Sequence, residues 1–208
     1  MKLYKLTDKL GRTRRTTKWG KGVTHKAEKG RGDLCTNKYI HAYTDPVLAL
    51  MMNPIHAGIE NPQLWTAEGR ISKTDGLKVG CKTLKTITRI KQPTVTINHR
   101  FKFALLAVME ICKKRSRFGE WAKGRLANPM KGTPGEQKMV DKYYNKSGSG
   151  KTKKANDRIK AKYNIMGAAK ELMRGRLTAA TCAALAEEIG LIDDSIDFAA
   201  LARKAMKK

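Results

Sequence analysis

The sequence predicts an α+β protein, with a small mixed or antiparallel sheet and packed helices followed by a basic helical C-terminal region. Three observations predict it. Almost every strong β signal falls within residues 34–90, where apolar and aromatic runs are punctuated by turn residues. From about Asn98 the apolar spacing changes to three and four residues, the period of a helix face. The hydrophobic share is 40% of 208 residues, which supports one substantial core and a less compact remainder. The expected organisation is an α+β domain over 1–127 with a basic N-terminal arm, a Gly/Pro/Lys-rich linker over 128–155, and a helical region over 156–208.

Residues 1–6 alternate apolar and polar as a strand does, with Leu3 turned inward. Residues 8–32 are rich in Gly, Lys, Arg and Thr, a composition that suits a mobile arm or a long hairpin. Cys35 opens an apolar and aromatic run to Tyr43 that reads as a buried strand. Thr44, Asp45 and Pro46 turn it into a helix over 47–52, which Asn53 and Pro54 should stop. Strands over 64–71 and 77–90 flank Thr74, Asp75 and Gly76, where Asp-Gly supplies the positive backbone angles of a tight hairpin. Trp65, Ala67, Gly69 and Ile71 share one strand face, while Gly69 and Gly80 mark a bulge or the close approach of another backbone.

Thr96 or Asn98 caps the next helix, whose Phe101, Ala104, Leu105, Val108, Ile111 and Cys112 should dock on the sheet. That helix is expected to run on to Asn128 and Pro129. The Gly, Pro, Ser and Lys content of 129–155 reads as linker. Over 156–174 a basic helix sets Ile159, Tyr163, Met166, Ala169 or Lys170, and Met173 on one side. Its other side carries Arg158, Lys160, Lys162, Lys170 and Arg174. Two short helices over 178–189 and 195–206 close the chain, separated by Gly190, with Asp194 or Ser195 capping the second.

The formal net charge is +26 and the pI is near 10.1, and self-repulsion of that size is usually offset by a polyanion partner. The charge is unevenly placed: +9 over 1–31, +3 over 32–98, +15 over 99–176 and −1 over 177–208. Nucleic acid is therefore the expected partner, its phosphates met by Arg12, Arg14, Arg15 and Lys18, by Lys113, Lys114, Arg115 and Arg117, and by Lys151, Lys153, Lys154, Arg158 and Lys162. Trp19, set among cations, either stacks on a base, worth about 1–3 kcal/mol, or closes the lid of the core. Specificity is low unless Trp19 or Trp121 stacks. A host protein or nucleoprotein complex, blocked by the same cationic surface, is the second class of partner. The oligomeric state leaves no signal.

Little in the sequence points to chemistry. Cys35, Cys81, Cys112 and Cys182 have no paired spacing and no N-terminal apolar run suggests export, so reduced thiols in a cytoplasmic protein are expected. No stretch approaches the roughly 20 apolar residues of a membrane span. Residues 147–152 resemble a phosphate-binding loop, but the first glycine of that pattern is replaced by Asn145. Residues 185–196 have helix-turn-helix spacing, yet Asp193, Asp194 and Asp197 would face phosphates, which favours a plain helical hairpin. His25, His41, His56 and His99 show no helical pairing, so neither a metal nor a cofactor nor a catalytic residue is predicted.

Residues 40–50, with Ile40, His41, Tyr43, Asp45 and Pro46, together with 67–71 and 78–84, resemble a domain found in uncharacterised proteins of tailed bacteriophages. The resemblance covers roughly residues 1–125 and, loosely, 196–201. It implies an accessory protein in the cytoplasm of an infected bacterial host cell and brings no activity with it. The order of elements is also similar to that of ADP-ribosyltransferase-like folds. This second likeness implies an NAD-dependent enzyme in which Tyr4, His41 and Tyr43 hold the nicotinamide and Glu68 polarises the ribose. The family's leading motif departs here, since Tyr4 is followed by Lys5.

Overall fold

A computed structural model describes residues 1–14, 16–112, 116–133, 135–144 and 150–207, with backbone alone at 143 and 144. The fold is α+β, and the chain divides into two compact units, Met1–Thr94 and Val95–Lys208. This division falls at residue 94, not at 127, because the amphipathic helix that follows the sheet belongs to the second unit.

The N-terminal unit is an antiparallel sheet in which β1 (Lys2–Thr7), β6 (Gln63–Thr74) and β7 (Val79–Ile90) lie side by side. The outer edge of β7 is covered by two short strands in line, β5 (Ile40–Ala42) on residues 79–81 and β4 (Thr24–Lys26) on residues 83–85. Just past β5, Tyr43 pairs with Tyr4 of β1, by backbone bonds of 2.8 and 2.9 Å. The sheet therefore curls until its two sides meet at this one bridge. Leu3, Trp19, Ala42, Ala67, Val79, Cys81 and Leu84 fill the inside. Asp75 holds the hairpin turn by accepting from the backbone N–H groups of Leu77 and Lys78, with Gly76 at φ +83°.

Two glycines are demanded by close packing rather than by the turn. A Cβ on Gly80 would lie 2.5 Å from Leu34 Cδ1, and one on Gly69 would lie 2.8 Å from the carbonyl oxygen of Thr83. The ladder between β6 and β7 is irregular on both sides of Gly69.

The basic arm is folded, contrary to the mobile reading. It forms the hairpin β2 (Arg12–Thr13) and β3 (Thr17–Lys18), and then β4, because the free edge of β7 offers it hydrogen bonds. Thr86 clamps this segment from inside, its hydroxyl donating to Gly20 O at 2.6 Å and its N–H to Val23 O at 2.9 Å. Helix α1 (Pro46–His56), capped by Asp45, does not stop at Asn53 and Pro54. The Asn53 side chain bonds both backbone groups of Ile59, and the Asn53 backbone carbonyl accepts from Ala57 and Gly58, so the exit is secured one turn later.

In the C-terminal unit α2 (Ile97–Ile111) is the central helix, capped by Thr96 in a capping box with His99. Its buried Phe101, Phe103, Leu105 and Val108 are covered by α5 (Lys153–Met173), α6 (Ala179–Ile192) and α7 (Phe198–Ala205). Phe103 meets Phe198 edge-on. The apolar face assigned to the sheet is thus satisfied by helices. Ser116 caps a separate helix α3 (Arg117–Ala127), so the expected single helix to Asn128 is two.

The segment assigned to linker contains α4 (Glu136–Tyr144). What orders it is Arg125, fully buried, which donates to Pro129 O at 2.8 Å, Lys131 O at 2.7 Å, Ala169 O at 3.0 Å and the Glu136 carboxylate at 3.1 Å. The buried face of α5 is Ala161, Ile165, Ala168, Ala169 and Leu172 with Met166, while Met173 is 46% exposed. Gly190 lies inside α6, and Asp197 caps α7, so the helix-turn-helix spacing around Gly190 corresponds to no turn.

Candidate nucleic-acid interface

The arm, β5, the end of α1 and the hairpin turn together enclose a cleft of about 430 Å³ in the N-terminal unit. Its walls bring Lys5, Arg14, Lys26 and Lys78 together with His25, His41 and His56. These histidines are far apart in sequence, and only the folding of the arm onto β7 and the extra turn of α1 bring them to one place. Glu28 is the one carboxylate among the described lining residues, and it is engaged by Lys38 at 2.8 Å and by Asn37. Lys5, Arg14 and Lys26 have no carboxylate partner among the described residues.

Lys5, Lys78 and the three histidines are held in place. Lys5 projects from β1 and donates to His41 O at 2.7 Å, its ammonium 5.3 Å from the Trp19 ring. Burial, with the Arg14 charge added, brings its pKa down to about 8. Lys78 is 5% exposed and paired with Asp75 at 2.6 Å; its ammonium lies 3.5 Å from His56 Nε2. On the other side of that ring, Nδ1 is 3.2 Å from the Tyr43 hydroxyl. Burial first, and the Lys78 charge second, lower the His56 pKa to about 4, so the ring is neutral at physiological pH. His41, its Nε2 2.5 Å from Leu34 O, is lowered in the same sense, mainly by burial. His25 contacts Lys18 O through Nε2 at 2.7 Å and packs edge-on against Trp19. Among the described residues no group of histidines, cysteines and carboxylates is arranged to hold a metal ion.

Of the cations expected to meet phosphates, Arg14 lines this cleft and is exposed, at φ +49° in the β2–β3 turn. Arg12 is half-buried and paired with Asp8 at 3.2 Å, and Lys18 is exposed. Trp19 is 7% exposed, within the core cluster, with Nε1 donating to Thr13 Oγ1 at 2.9 Å. Its face is therefore committed to the core, and the lid role describes it. In the C-terminal unit Arg117, Lys151, Lys153, Lys154 and Arg158 are exposed, while Lys162 lies over the Phe118 ring at 5.3 Å. Arg15, Lys113, Lys114 and Arg115 lie outside the described residues, as do residues 147–149 of the loop-like motif. Sequence reasoning missed Lys5, Lys26, Lys78, His25 and His56. Their only shared signal was their place in or beside strands and turns.

The residues that the NAD reading names are not all placed together. His41 and Tyr43 line the cleft, and Tyr4 bridges Tyr43 through its backbone. Glu68 is exposed, opposite Lys2 and Lys85 in the sheet, and does not line the cleft. Among the described residues no helix is long and apolar enough to cross a membrane. Compared with family models, with curated proteins and with solved structures, the chain matches none.

Proposed function

We propose that the protein binds nucleic acid mainly through phosphate contacts, as an accessory protein of tailed-phage type in the cytoplasm of the infected cell, and that the N-terminal cleft holds a strand. The observation that carries this reading is the charge balance of the cleft, where Lys5, Arg14 and Lys26 converge with their one lining carboxylate already committed to Lys38. Positive groups gathered in a confined space repel one another; the Lys5 pKa is lowered first by burial and second by the Arg14 charge, so a counter-charge is favoured there. A phosphodiester entering that space relieves the repulsion and releases its own counterions. A volume of about 430 Å³ suits one nucleotide.

Phosphate contact without base reading follows from the rings. Trp19 is turned into the core, and one face of Tyr39 is covered by Lys82 at 4.1 Å. Low sequence preference is expected. The test is fluorescence anisotropy with single-stranded and duplex probes. Binding should weaken at least about tenfold between about 50 and about 200 mM salt. Absence of binding at low salt, or affinity indifferent to salt, would sink the reading. Retention of a single host protein after nuclease treatment, with no affinity for either probe, would put protein binding in its place.

A further inference from the structure

We propose a second phosphate site in the C-terminal unit, a groove between α3 and α4 that takes one phosphodiester of a nucleic-acid strand; its occupant rests on the nucleic-acid reading, its geometry does not. The groove, of about 540 Å³, is lined on the α3 side by Arg117, Glu120 and Trp121, one helix face at spacings of three and four. Lys138, Met139 and Lys142 face it from α4, with Thr133 and Gly135 at that helix's start. Three cations thus stand around one carboxylate, over a floor supplied by Trp121 and Met139.

The second observation concerns two donors. Trp121 is 6% exposed, and its indole Nε1 is buried with no hydrogen-bond partner among the described residues. Thr133 Oγ1 is in the same condition, although its backbone N–H donates to Glu136 Oε2 at 3.2 Å. Buried polar groups are nearly always satisfied, because leaving one unpaired forfeits its hydration for nothing. Two orphaned donors belong to residues that line one groove rimmed by arginine and lysine, and an anionic acceptor reached by a small side-chain shift is their common explanation. A phosphate oxygen accepts from an indole N–H and a hydroxyl while Arg117 and the two lysines supply charge. Carboxylate ligands would satisfy the donors as well, but the overall positive charge of the chain favours a polyanion.

The experiment follows the Trp121 indole N–H resonance of the full-length protein by NMR, identified by its loss in Trp121→Phe. The probes are inorganic pyrophosphate and an oligothymidylate of about 12 nucleotides. Both should move that resonance. Lys138→Gln and Thr133→Val should each weaken pyrophosphate binding about fivefold to tenfold. Thr133→Val provides the control for folding. Removing an orphaned hydroxyl leaves the unfolding temperature unchanged or raised, so a loss of affinity there cannot come from loss of structure. If the oligonucleotide binds while the Trp121 resonance stays put with both probes, the groove is no phosphate site and the proposed function stands. A shift with pyrophosphate alone overturns the nucleic-acid occupant and leaves the anion pocket. No shift with either probe overturns both.

Discussion

Arg125 shows how far a single side chain can organise a region whose composition says otherwise. Its fully buried guanidinium satisfies carbonyls at 129, 131 and 169 and pairs with Glu136. In Arg125→Met the Glu136 carboxylate is left buried without a cation, a loss of about 3–5 kcal/mol expected as a lower urea midpoint. Arg125→Lys should recover little, since an ammonium lacks the planar fork that reaches four acceptors. In the sequence Arg125 is one cation among many, because two of its four partners, Glu136 and Ala169, lie 11 and 44 residues away. His56 was equally silent. The fold favours its neutral form, so the unfolded chain takes up the proton first as pH falls. The His56 contribution to stability should be level above about pH 6.5 and drop through the window from 6.5 to about 4, by up to about 3 kcal/mol; His56→Phe should lessen the slope there.

Among the elements, the hairpin of β6 and β7, the first strand and the start of α2 at Thr96 were legible, because each is specified by neighbours in sequence. The glycine positions were legible too. Gly80→Ala should cost about 1–3 kcal/mol by pushing Leu34 and Tyr39 off β7, measurable as earlier loss of protection in the 79–81 amides. What escaped were elements decided by distant partners. The arm reads as either mobile or a long hairpin until the open edge of β7 decides between them, α4 reads as linker until Arg125 is placed, and α1 outlasts Pro54 because Asn53 finds Ile59. Each supplies residues to one of the two candidate phosphate sites, which is why the cleft itself was not foreseen.

For the molecule as a whole, folding the arm into the first unit changes the charge map. The units carry net charges of +12 and +14, so the sheet is not a neutral platform for basic appendages. Strong pH dependence of binding follows from the cleft: as pH rises through about 8 Lys5 loses its proton, and affinity for an oligonucleotide should fall, an effect absent in Lys5→Gln. The most direct test of phosphate binding in the cleft is the salt dependence of oligonucleotide affinity for the native chain and for the folded triple variant Lys5→Gln, Arg14→Gln, Lys26→Gln. A slope of log affinity against log salt that is shallower by about 2 in the variant is predicted, as three lost phosphate contacts require. Equal slopes in the two proteins would contradict it.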